Sequence, residues 1–271
     1  MNTTSNSTNN GTALITGAST GIGAIYADRL AKRGYDLILV ARNKSRLNVL
    51  AERLQKETGR TVKVQVADLN DKADLRRVEE TLKTDSAITL LLNNAGVGSV
   101  APLLQSDVDK MEDMIALNVT ALTRLTYAAV PAFVSRGKGT VINIASVVGI
   151  SPETLNGVYG ATKSYVIGFT HSLQHELAEK GIRIQAVLPG ATATEFWDVA
   201  GYAHSNLPKE IVMSADDLVD AALVGFDQGE VVTIPPLQDG NEWATWEAAR
   251  KAMSTHLANR TPGARYTQTK K

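Results

Sequence analysis

Tyr159 and Lys163 stand four residues apart in the stretch GVYGATKS, residues 157–164. On a helix, side chains at i and i+4 share a face, which would put a phenol one turn from an ammonium. An isolated tyrosine titrates near pH 10, too high to exchange protons readily at neutrality. A cation about 4 Å away favours the phenolate by roughly 4 kcal/mol at an effective dielectric near 20, or about three pKa units at most. On that expectation Tyr159 is an acid or base usable near pH 7. Ser146 ends the apolar run VINIAS and can donate to a carbonyl oxygen while charge develops on it. Asn118 lies within MEDMIALNVTAL, a helical segment in which asparagine is a poor interior residue. Taken singly, these residues also suit an amphipathic helix with an aromatic and a solvated charge, and an asparagine at a local kink.

The elements that must position them alternate in kind. Short apolar runs at Thr12–Thr16, Asp36–Ala41, Thr61–Ala67, Ala87–Leu92, Val141–Ala145, Arg183–Leu188 and Glu230–Ile234 read as strands. Between them, helical periodicity covers segments through about Arg33, Lys44–Thr58, Asp71–Thr84, about Asp107 to Ser135, and about Val158 to Lys180, with a last helix over Trp243–Met253. Strands apolar along their whole length, alternating with helices, predict an α/β fold with a parallel sheet buried on both faces. Right-handed crossovers make that a doubly wound sheet of about seven strands. One domain is expected over 11–260, between a disordered polar leader (1–10, MNTTSNSTNN) and a loosely held tail (261–271).

The first strand runs into TGASTGIG, residues 16–23, and then a helix. Gly17, Gly21 and Gly23 permit a tight turn and close approach of a phosphate to the backbone of Ser19, Thr20 and Ile22 at a helix N-terminus. The spacing departs from the common G-x-G-x-x-G, yet within a strand–turn–helix a dinucleotide site is the better reading. At the end of the second strand an acidic residue would bind the ribose of NAD; this chain has Ala41 and Arg42 instead. A guanidinium there suits a 2′-phosphate, so NADP(H) is favoured over NAD(H), although Arg46 close by is a second candidate.

Composition bounds the partners. Lys and Arg total 28, matched by 28 Asp and Glu, so no broad attraction to nucleic acid or anionic membrane is expected. Cysteine is absent, which removes disulfides, thiolate nucleophiles and Cys-type zinc sites. No apolar run approaches the roughly 18 residues of a membrane span, and the first ten residues lack the pattern of a secretory signal. A soluble cytoplasmic protein is expected. His171 and His175 have metal-ligand spacing without a third ligand, so no metal site is assigned.

In order along the chain, TGASTGIG (16–23), Asp68-Leu69, Asn93-Asn94-Ala95-Gly96, Asn118, Ser146, Tyr159-x-x-x-Lys163 and Pro189-Gly190-x-x-x-Thr194 resemble the compact branch of the short-chain dehydrogenase/reductase superfamily, from about Thr12 to Thr194. The resemblance implies a Rossmann-like fold. It places Asp68 at the adenine amino group with Leu69 beside it, and Asn93 with the Ala95-Gly96 backbone along the cofactor ribose. Pro189 and Gly190 would pass the nicotinamide, and Thr192 and Thr194 would hold its carboxamide; Thr192 stands where the family commonly has a β-branched apolar residue. Asp68 and Asn93 could equally be caps or turn residues. The resemblance also gives Asn118 a water that links Lys163 to solvent, and Lys163 a hold on the ribose. The implied reaction is hydride transfer from NADPH to a carbonyl carbon, with Tyr159 protonating the forming alkoxide and Ser146 orienting the carbonyl. The partner is a small carbonyl or alcohol substrate. Helices bearing Asn118 and Tyr159 would build a homodimer or homotetramer. Rival readings are a 3-oxoacyl thioester reductase, an oxidative steroid or polyol dehydrogenase, and a non-catalytic NADP-binding sensor or scaffold. Specificity is expected in the loop 195–212, with Phe196, Trp197, Tyr202 and His204 as an apolar lid or a subunit contact.

Overall fold

In the computed structural model of the chain, residues 9–202 and 204–267 are described. Residues 1–8 of the expected leader and 268–271 of the expected tail lie outside them. The described residues fall into two compact units, one ending at Pro236 and one beginning at Leu237.

In the first unit the apolar runs form seven strands: β1 (Thr12–Thr16), β2 (Asp36–Ala41), β3 (Val62–Val66), β4 (Ile88–Asn93), β5 (Gly139–Ile144), β6 (Ile182–Val187) and β7 (Val232–Thr233). All pair in parallel, in the order β3-β2-β1-β4-β5-β6-β7. Every residue of β1 and β5 is buried, as a sheet covered on both faces requires. Alternation sends Ala13, Ile15, Leu37 and Leu39 to one face, against α1 (Gly21–Lys32), α2 (Lys44–Thr58) and α8 (Ala215–Gln228). Leu14, Ile38, Val40 and Leu91 face the other way, against α3 (Lys72–Thr84), α5 (Leu122–Ser135) and α6 (Gly157–Leu177). The chain is thus a doubly wound parallel sheet, and its strand order reverses between β1 and β4, where a crevice opens at the strands' carboxyl ends.

Helix starts follow their capping residues. Asn43 accepts from Arg46 N at α2, Asp71 from Ala73 N and Asp74 N at α3, and Asn156 from Val158 N and Tyr159 N at α6. The helix expected from Asp107 to Ser135 is instead three pieces: α4 (Val108–Ile115), a π-helical turn (Ala116–Ala121) and α5. Asn118, in the middle of that turn, bonds sideways to the backbone of Val97, and a widened turn is how a helix accommodates such a residue. The last strand is shorter than expected, because Pro235 and Pro236 follow it and cannot donate to a ladder.

Across β4 and β5, Asn93 Nδ2 donates to Asn143 Oδ1 and to Thr126 Oγ1, and Asn143 Nδ2 donates to Thr170 Oγ1, each at 3.0 Å. All four residues are buried.

The second unit holds α9 (Gly240–Ser254), capped by Asp239 and carrying Trp243 and Trp246 stacked at 4.8 Å. No helix among the described residues is long and apolar enough to cross a membrane.

Candidate active site

The glycine turn after β1 is laced to the exit of β4. Thr16 Oγ1 donates to Leu92 O and accepts from Asn94 N and Ala95 N. Asn94 Nδ2 donates to Thr16 O at 2.9 Å and Gly17 O at 3.1 Å. Asn94 was given no role by sequence reasoning; its side chain shapes the turn. Gly17 and Gly21 take positive φ, +65° and +53°, which an L side chain resists. A Cβ on Gly23 would overlap the Gly17 carbonyl oxygen and Asn94 Nδ2. Gly23→Ala is therefore expected to spread the turn, lowering stability by about 1–3 kcal/mol in urea melts and weakening dinucleotide binding in calorimetry. Thr20, the N-cap of α1, makes no side-chain capping bond. The first-turn amides of Gly21, Ile22 and Gly23 therefore form a donor set that fits a phosphate. Thr194 lies against this turn, its Cγ2 3.1 Å from where a Cβ on Gly21 would be.

At the end of β2, Arg42 is 75% exposed, with Nη1 3.9 Å from Asp68 Oδ2. Asp68 also accepts from Asn70 N as a turn residue, which is the alternative role its sequence position allowed. Leu69 is buried in the core beneath it. Arg46 is engaged elsewhere, in a 2.7 Å ion pair with Glu195.

Strand alternation turns the Asn93 side chain inward, where it bonds Asn143 and Thr126. The backbone of Ala95 and Gly96 stays at the crevice, with a Gly96 Cβ position 3.6 Å from Lys163 Nζ. Burial pushes the Tyr159 phenol up to about 12, opposed only by a hydrogen bond with Ser146. Lys163 Nζ lies 5.8 Å from the Tyr159 ring centroid and donates to Ile144 O at 2.9 Å, and its own burial lowers it to about 8. Both groups are sealed inside the fold, 6% exposed each, and desolvation disfavours the charged form of each.

Ser146, at the exit of β5, donates to Pro189 O and accepts from Val148 N, both at 3.3 Å, which aims its hydroxyl. Asn118 spends its side chain on positioning. Its Oδ1 accepts from Val97 N, and its Nδ2 donates to Val97 O and to Thr162 Oγ1, which in turn donates to Tyr159 O. It ties the loop after β4 to the helix carrying the phenol. Thr192 is buried, and its carbonyl accepts from Trp197 Nε1 at 2.9 Å.

An apolar wall surrounds the phenol. Met114 and Val148 are buried beside Tyr159, and Val97, Met111, Leu155 and Val158 pack around them. Phe196 opens α7 (Phe196–Val199); its ring lies 5.6 Å from that of Tyr159 and fills the space that a Cβ on Gly98 would need. Tyr202 is 39% exposed and donates to Asn206 O. Residue 203 and the side chain of His204 lie outside the described residues.

A parallel sheet with a phenol, a hydroxyl and an ammonium gathered at its carboxyl edge, beside a phosphate-fitting turn, is the framework of a dinucleotide-using oxidoreductase. The short chain dehydrogenase family profile matches residues 11–202, and the chain belongs to that family. A short-chain dehydrogenase from Sphingobium yanoikuyae in complex with NADPH superposes with a TM-score of 0.92 at 48% identity, covering 95% of this chain and 100% of that one. A bulky-bulky ketone specific alcohol dehydrogenase from Comamonas testosteroni gives 0.88 at 45% identity, covering 96% and 99%. An uncharacterized oxidoreductase of Staphylococcus saprophyticus is 30% identical over 223 residues, 82% of this chain and 93% of that protein.

Proposed function

We propose that the chain reduces a ketone or aldehyde to an alcohol with NADPH, Tyr159 giving the proton. The observation that carries this is the buried Tyr159 phenol, hydrogen-bonded to Ser146 within reach of an apolar wall. Burial keeps the phenol in its protonated form at neutral pH, the form from which a proton is given. Ser146 Oγ turns its one proton from Pro189 O to the carbonyl oxygen and so orients the carbonyl, and Tyr159 Oη delivers a proton to that oxygen. Lys163 holds a positive charge beneath the site and has donors to spare for a ribose hydroxyl. The first-turn amides of α1 take the pyrophosphate, and Arg42, with no acidic neighbour at Ala41, faces a 2′-phosphate. NADPH, once bound, supplies the hydride. The NADPH complex of the Sphingobium relative supports the cofactor, and the ketone specificity of the Comamonas relative supports the substrate class. Met111, Met114, Val148, Leu155 and Phe196 suit an apolar ketone.

Tyr127 and Tyr165, 69% and 38% exposed, both stack on Phe169 across α5 and α6. Exposed aromatics on those two helices support a homo-oligomer built through them.

The test is coenzyme consumption over a panel of apolar ketones, aldehydes and 3-oxoacyl thioesters. Turnover of apolar ketones is expected with NADPH, and at least tenfold less with NADH. Preference for thioesters would replace the substrate class, and binding of NADPH without turnover of any member would leave a sensor or scaffold.

A further inference from the structure

Arg46 and Glu195 are 149 residues apart in the chain, yet Nη1 of one meets Oε2 of the other at 2.7 Å. Arg46 stands in the first turn of α2, four residues past Arg42. Glu195 follows Thr194, which lies against the glycine turn, and precedes Phe196, whose ring covers Tyr159. A single ion pair therefore joins the helix after β2 to the segment over the phenol. Its side chains are 48% and 58% exposed, so solvent screens the attraction and the pair is readily exchanged.

We propose that Arg46 is a specificity-determining residue that exchanges Glu195 for the 2′-phosphate of the cofactor, so that a 2′-phosphorylated dinucleotide alone loosens the Phe196 segment over Tyr159. The proposal rests on the NADP reading above. A phosphate monoester carries about −1.5 to −2 charges and three acceptor oxygens at neutral pH. A guanidinium grips it through two parallel N–H bonds, whereas Glu195 uses only Nη1 of Arg46. Arg42, 75% exposed, adds a second cation on the same side of the crevice. Loss of the Arg46 bond frees Glu195, and with it the start of α7. Trp197 stays fixed through its Nε1 bond to Thr192 O. Movement is thus confined to Glu195 and Phe196. The amides that report it are Val199 N, which donates to Glu195 O at 3.3 Å, and Ala200 N, which donates to Phe196 O at 2.9 Å. Tyr202 N, bonded to Trp197 O, is an internal reference.

Residue-resolved amide exchange of the full chain tests this with 2′,5′-ADP and 5′-AMP, which share the adenosine and differ in the 2′-phosphate. In the wild type, 2′,5′-ADP is expected to speed exchange at Val199 and Ala200 several-fold, leaving Tyr202 unchanged, and 5′-AMP to do neither. In Glu195→Gln those two amides should exchange fast without ligand. Calorimetry should show that variant binding 2′,5′-ADP about two- to five-fold tighter, the range of a broken surface ion pair, with 5′-AMP affinity unchanged. If 2′,5′-ADP binds the wild type more tightly than 5′-AMP while exchange and the Glu195→Gln affinity stay the same, the exchange of partners is refuted and the NADP reading stands. If 2′,5′-ADP binds no more tightly than 5′-AMP, both fall together.

Discussion

Tyr159→Phe is expected to lower kcat by about 10²–10⁴-fold, the range contributed by a positioned general acid, with little change in NADPH affinity. The ring keeps its place against Phe196, Met114 and Val148, so the wall around the site survives. Only Oη and its bond to Ser146 disappear. Ser146 Oγ keeps Pro189 O and Val148 N as partners, so stability should move by no more than about 1 kcal/mol. Steady-state rates with a ketone, alongside a fluorescence titration of NADPH, separate chemistry from binding. Turnover within a few-fold of wild type would show that the proton comes from another group.

Lys163 gives the second large effect, read in stability. Burial lowers its ammonium from 10.5 to about 8, so between those values the folded chain binds fewer protons than the unfolded one. Stability then rises with pH across that window, and the cost of burying the charge is felt in full below it. Lys163→Met removes this slope while keeping the length of the side chain. Urea melts should show wild-type stability rising relative to the variant by about 3 kcal/mol between pH 8 and 10.5, from 1.36 kcal/mol per pKa unit. Comparing two proteins at each pH cancels the titration of every other group. A constant difference would mean that Lys163 reaches solvent in the folded chain.

Much of this was legible in the sequence, for identifiable reasons. Runs such as DLILVA and KSRLNVLAERLQKET carry apolar period and capping residues on their own, and both elements end where the pattern ends. Ser146, Tyr159 and Lys163 were recognisable because their types and spacing are set by chemistry and by order along the chain. Which asparagine of NNAG faces the core is not legible locally; the strand's pairing with β5 decides it. The π-helical turn at Ala116–Ala121 arises from a bond between Asn118 and Val97, a contact with no local signature. A charge at i+4 from Tyr159 is visible in sequence, whereas the burial of the phenol is not, because Met114, Val148 and Phe196 make it from three other segments. The pairing of Arg46 with Glu195 was hidden for the same reason.

The chain of amides and hydroxyls through Thr126, Asn93, Asn143 and Thr170 has a consequence for how such a protein can change. Sliding β5 by one residue would set Ile142 or Ile144 beside Asn93 and strand several polar groups without partners, at about 1–3 kcal/mol each. The two strands are keyed to one alignment, and the segments leaving them, with Asn94 on one and Ser146 on the other, inherit that alignment. The Ser146 hydroxyl is thereby insulated from the loops. The segments around Met111 and Phe196 can be lengthened, shortened or resculpted while the Tyr159 phenol and the Ser146 hydroxyl keep their spacing. Diversification of substrate and conservation of chemistry are separable here because they are written into different layers of the same fold.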